Sequence, residues 1–236
     1  MTDTDLTPRQ RRRRKRLQQL RSEAMAMIVE GGIQAFSVNK LADRVDLTPG
    51  ALYRYFDSRD AILAAIQIEV LEHFDKFFEA LQQRIDDRRG LRTLVILSIG
   101  YVALAQLQPE RFRLISAFVA DPEPILEDGL ATQVVGPTLG VVQRFVSTVA
   151  TAQNRGILSP GDPLARAALI WSSLQGFINH RKLTRLPQVP LDAEALLVEL
   201  LRTLLTGWGA DEVELADGFE DLPDLDYYRH IMEELR

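Results

Sequence analysis

Cysteine is missing from this 236-residue chain. That removes disulfides, thiolate nucleophiles and the common structural zinc sites together, and it suits a reducing cytosol. Histidine is scarce. His73, His180 and His230 are isolated, with no second His at i+4 and no His-Glu-x-x-His pattern, so no metal site is expected and no metal cofactor is called for. Gly-x-Gly-x-x-Gly, P-loop and Gly-x-Ser-x-Gly patterns are absent, which argues against a nucleotide enzyme or a serine hydrolase. No apolar run reaches the ~18 residues of a membrane span, so no membrane partner is expected. The basic block near the start has no apolar segment right behind it, so a secretory signal is not expected either. Alternating strand patterns are almost missing. What remains is helical spacing broken by turn residues, and the expected class is all-α.

The formal net charge is −5, which on its face argues against nucleic acid. Its distribution removes that objection. Residues 1–60 hold 12 Lys+Arg and 8 Asp+Glu, a net of +4. Residues 61–210 hold 14 and 15, a net of −1, and residues 211–236 hold 2 and 10, a net of −8. From Arg9 to Arg16 every residue but Gln10 is Lys or Arg. Such a block is either a solvated helix start or a phosphate-seeking arm. Its place directly before the paired short helices described next favours the arm.

Thr7-Pro8 reads as N-cap and N1 of a first helix, with Gln10 completing a capping box. Leu17, Leu20, Ala24, Met27 and Ile28 fall on one face, and Gly31-Gly32 ends it. Ser37 caps a second, short helix to Val45. Thr48 caps a third, to Phe56, with Pro49 at N1. Ser58 then caps a long helix reaching about Asp87. Further helices are expected over 91–108, 110–120, 125–155 with a kink or break at Gly136-Pro137, 163–186 and 192–208. That makes about nine main helices.

The pair Ser37–Val45 and Thr48–Phe56 forms a helix-turn-helix. The second helix can offer its first residues to the major groove, and small residues at Gly50 and Ala51 permit close approach. Tyr53, Arg54 and Tyr55 supply hydroxyl and guanidinium donors. The stretch from Gly32-Ile33-Gln34-Ala35-Phe36-Ser37-Val38-Asn39-Lys40-Leu41-Ala42 through Leu47-Thr48-Pro49-Gly50-Ala51-Leu52-Tyr53-Arg54-Tyr55-Phe56 to Ser58-Arg59 resembles the TetR/AcrR family of bacterial transcriptional regulators. Two positions depart from the usual pattern. Asp46 stands where Gly is usual in the turn, and Asp tolerates the left-handed conformation. Arg59 stands where Lys is usual.

The resemblance implies a DNA-binding domain over 1–60, a ligand-binding and dimerisation domain over 61–210, and repression of a double-stranded DNA operator relieved by a small-molecule effector. It implies no enzyme activity. By position, Asn39, Lys40, Pro49, Gly50, Ala51, Tyr53 and Arg54 would lie near base edges. Ser37, Thr48, Tyr53, Tyr55 and Arg59 would touch phosphates. Arg54 to guanine and Asn39 to adenine are the direct readers that donor geometry suggests. The helices 163–180 and 192–208 would pair with a second copy, giving a homodimer and a near-palindromic operator. Phe77, Tyr101, Arg113, Phe118, Phe145, Gln175 and Asn179 are the pocket candidates. Few charges fall at 94–108 and 167–179, so an apolar or amphipathic effector is expected. The acidic tail, 211–236, lies outside the family pattern. It is expected to be flexible over 211–222 and to dock a short helix through Leu225, Tyr228, Met232 and Leu235.

Overall fold

The computed structural model describes residues 7–85, 90–120, 128–181 and 192–235, the side chains of 117–120 and 128 excepted. Among them there is no strand and there are eleven α-helices. In chain order these are α1 Pro8–Gly31, α2 Val38–Arg44, α3 Pro49–Leu52, α4 Arg59–Arg84, α5 Leu91–Leu107, α6 Pro109–Ala120, α7 Asp128–Asn154, α8 Pro163–His180, α9 Ala193–Gly207, α10 Glu212–Phe219 and α11 Leu225–Glu234.

The helix starts follow local chemistry. The Thr7 side chain accepts from the Gln10 N–H while the Gln10 side chain accepts from Thr7 N–H, a reciprocal box. Ser37 Oγ accepts from Lys40 N–H at 3.2 Å, Thr48 Oγ1 from Ala51 N–H at 3.2 Å and Ser58 Oγ from Ala61 N–H at 3.0 Å. Asp192 does the same for α9. Each satisfies one of the donors that a helix N-terminus leaves unpaired.

Three expectations are corrected. The third helix is one turn, Pro49–Leu52, and Tyr53–Tyr55 continue as tight turns rather than as helix to Phe56. The long helix α7 is continuous through Pro137, so of the expected kink or break there is no break. Pro137 cannot donate to the Gln133 carbonyl, but Gln133 is exposed, so water can take that place. The stretch 211–222 is not without structure: Asp211 caps α10, accepting from Glu214 N–H at 2.8 Å. With α11, this raises the count from nine to eleven. The eighth helix is described from Pro163 to His180, and the expected continuation over 182–186 lies outside the described residues.

The chain divides into two compact units, Met1–Glu72 with Glu110–Gly136, and His73–Pro109 with Pro137–Arg236. These differ from divisions at 60 and 210: segment 110–136 clusters with the N-terminal part, and the acidic C-terminal segment belongs to the second unit.

In the first unit, α1 buries Leu20, Ala24, Met25, Met27 and Ile28, with Leu41, Leu52 and Phe56 also in the core. In the second unit α5 is central. It is apolar on nearly all sides, burying Leu91, Leu94, Val95, Ile96, Leu97, Val102, Ala103 and Leu104, as a fully surrounded helix must. It packs against α8, α10 and α11. A Cβ at Gly218 of α10 would come within 3.2 Å of Leu91 Cδ2, so glycine permits that close approach. Arg92 of α5 donates to the carbonyls of Asp217, Glu220 and Asp221, closing the C-terminal end of α10. Tyr228 of α11 is 1% exposed and sits 6.3 Å from the Phe77 ring. Burial pushes its hydroxyl pKa up from the ordinary tyrosine value.

Candidate nucleic-acid interface

The helix-turn-helix is built on a sharp turn. Val45 ends α2, Asp46 takes φ +52°, and Leu47 N–H bonds back to the Ala42 carbonyl at 2.9 Å. A left-handed residue other than glycine costs ~1–2 kcal/mol. Asp46→Gly is therefore expected to raise stability by about 1 kcal/mol. Asp46→Val is expected to lower it by a similar amount or more. Urea midpoints of the two variants check this, and equal midpoints would count against a strained turn.

The exposed side of the motif carries Asn39, Lys40, Thr48, Gly50, Tyr53, Arg54 and Arg59, with Ser37, Pro49 and Tyr55 half-buried. Tyr53 is 49% exposed, a large aromatic left in solvent. Ala51 departs from the expectation. It is 8% exposed and packs inward beside Leu52, so its methyl is spent on the core rather than offered to a groove. Arg59 lies 5.8 Å from the centre of the Phe36 ring and 3.6 Å from Asp60, which orients its guanidinium.

Two further arginines set the platform, and spacing alone pointed to neither role. Arg44 of α2 donates to Glu23 at 2.8 Å and in a fork to Glu30 at 2.7 and 2.8 Å, both on α1. The guanidinium holds the Glu30 carboxyl below the usual carboxylate range. Arg16, the last cation of the basic run, donates to Gln19 Oε1 at 2.7 Å and to the Val45 carbonyl at 2.9 Å. It fastens α1 to the turn between α2 and α3. No local signal could have found this, because the partners are 29 residues apart.

The pocket candidates separate. Trp171 Nε1 donates to the Tyr101 hydroxyl at 2.8 Å, and that hydroxyl donates to Gln175 Oε1 at 3.1 Å. Tyr101 is pushed well up in pKa by burial, so it stays a neutral donor. Phe77 and Phe145 each stack edge-on against Phe78, and Phe77 is 0% exposed, which is core packing. Asn179 is exposed. Arg113, in the first unit, is exposed and paired with Glu110. The side chain of Phe118 lies outside the described residues. Among the described residues no group of His, Asp and Glu could hold a metal ion, and no single helix is long and apolar enough to cross a membrane.

Residues 20–66 match the family profile described as "Bacterial regulatory proteins, tetR family". Residues 94–204 match "Tetracyclin repressor-like, C-terminal domain". The chain is similar to the HTH-type transcriptional repressor KstR2 of Rhodococcus jostii (strain RHA1), 32% identical over 76 residues. That match covers 32% of this chain and only 37% of the relative's length. Among solved structures, RolR in complex with resorcinol superposes with a TM-score of 0.62 at 15% identity, over 91% of this chain and 98% of that one. AibR in complex with isovaleryl coenzyme A and operator DNA gives 0.58 at 16% identity, over 80% and 98%. At these identities the two structures speak for the fold.

Proposed function

Because the chain belongs to the TetR family of DNA-binding transcriptional regulators, we propose that it is a repressor that binds a near-palindromic operator as a homodimer and leaves it when a small molecule binds. The observation that carries the DNA part is the exposed row Asn39, Lys40, Thr48, Gly50, Tyr53 and Arg54 on a capped, tethered helix-turn-helix. In this reading Arg54 and Asn39 read bases, while Ser37, Thr48, Tyr53, Tyr55 and Arg59 hold phosphates and fix the register. Pro49 and Gly50 let the backbone come close.

The dimer would form on α8 and α9. Leu164, Leu169 and Leu196 are 55%, 52% and 38% exposed, apolar side chains that a second copy would cover. The effector would be a small organic molecule with an apolar body and a polar group. Tyr101 and Gln175 supply the polar contacts among apolar neighbours, much as ligand sites between helices are built. RolR is described with resorcinol and AibR with isovaleryl coenzyme A, both organic ligands. A cytoplasmic regulator without enzyme activity is the corresponding role in the cell.

Selection of bound DNA from a random pool tests the reading, followed by a release screen on the recovered sequence. Arg54→Ala should weaken binding by ~1–3 kcal/mol, roughly 5- to 150-fold, and relax the preference at one base of each half-site. Uniform weakening across all bases would reassign Arg54 to a phosphate.

A further inference from the structure

The basic run is a formed helix, not a loose arm. α1 begins at Pro8, yet its first buried residue is Leu20, so the stretch from Pro8 to Gln19 extends past the core. Between Thr7 and Arg21 the sequence has no acidic residue. Cations at a helix N-terminus oppose the backbone dipole, and like charges at i,i+4 repel. That spacing recurs here as Arg9 with Arg13, Arg11 with Lys15 and Arg12 with Arg16. The helix therefore carries an electrostatic burden that a polyanion alongside it would relieve.

The seven cations are not equivalent. Arg9, Arg12, Arg13 and Arg16 follow i, i+3, i+4, i+7 and form one stripe. At 100° per residue, Arg9, Arg13 and Arg16 continue the line of Leu20 and Met27, the side of α1 that packs on the helix-turn-helix. Arg16 fixes that azimuth by its bond to the Val45 carbonyl, one residue before the left-handed Asp46. Arg11, Arg14 and Lys15 point to the opposite side of the helix.

We infer that the stripe Arg9, Arg12 and Arg13, oriented by Arg16, is a second DNA contact that binds backbone phosphates beside the site covered by the helix-turn-helix. From Arg9 to Arg16 the helix rises ~10 Å, about three phosphates of one strand by axial spacing. The inference rests on the DNA-binding reading above. It adds a helical, one-sided and sequence-independent contact to it.

The test uses the full chain and the operator recovered by selection, with affinity measured by fluorescence anisotropy across a range of salt. Each neutralised phosphate contributes about 0.9 to the slope of log affinity against log salt. The triple variant Arg9→Ala, Arg12→Ala, Arg13→Ala should flatten the slope by about 2–3 per protomer and weaken scrambled DNA as much as operator. The triple variant Arg11→Ala, Arg14→Ala, Lys15→Ala removes the same charge from the other side and should flatten it by less than about 1. Alanine keeps the helix in both, which circular dichroism verifies. Equal flattening by the two variants would reduce the stripe to undirected attraction and overturn the inference, as would no flattening by the first. In either of those cases operator binding by the unaltered chain leaves the DNA-binding reading intact. An unaltered chain that recovers no DNA sequence overturns both.

Discussion

Truncation after Ala210 is expected to unfold much of the second unit rather than trim a tail. The deletion removes α10 and α11, and with them Leu215, Tyr228, Ile231 and Met232, all 3% exposed or less. It strips the cover from α5, the most buried helix of that unit, and leaves Arg92 facing no carbonyls. A single substitution isolates the largest part of the effect. Tyr228→Ala should cost ~3–5 kcal/mol, as for other large aromatic truncations in a core. Domains of this kind have only ~5–15 kcal/mol to lose. Chemical denaturation of the two variants beside the full chain checks the expectation. If the truncated chain unfolds at the unaltered midpoint, the acidic segment is an accessory and the packing described above has little energetic weight.

Replacing Leu164, Leu169 and Leu196 together by Glu should leave a folded protein that no longer pairs with its copy. These side chains are exposed in the single chain, so charging them costs its fold little. In a dimer each would bury its apolar area, on the order of 1.5–3 kcal/mol per side chain, and glutamates there would meet their own copies. Operator affinity should fall by roughly 10²–10⁴-fold, the range lost when two linked half-site contacts become separate. Sedimentation and anisotropy on the same samples read both effects. A triple variant that stays dimeric would move the interface off α8 and α9. One that turns monomeric yet binds operator unchanged would contradict two-fold recognition.

Much of the fold could be read in the sequence where the cause is local. The caps at Thr7, Ser37, Thr48 and Ser58 involve partners three residues away, and each forms as the spacing suggests. The left-handed turn at Asp46 likewise follows from residue type. Ala51 is expected at the groove yet packs inward, because one helical turn is too short for a period to show which side it takes. α10 was hidden by composition: its Asp211 cap and buried Leu215 are ordinary helix signals inside a stretch of net charge −8. The roles of Arg16 and Arg44 depend on residues 14 to 29 positions away, and only the folded chain brings them together. Residue type does not single out Tyr101 and Gln175 among the polar pocket candidates, because their hydrogen bond is a matter of packing between α5 and α8.

The capping box at Thr7 and Gln10 has a thermodynamic consequence. A segment that folds as it binds pays for ordering at that moment, ~1–2 kcal/mol per residue in backbone entropy. The extension from Pro8 has its first turn closed before any partner arrives. Its association with a polyanion should therefore leave the far-ultraviolet ellipticity of the chain unchanged and add little to the heat-capacity change. The gain would appear instead as entropy of released counterions, diminishing steadily with added salt.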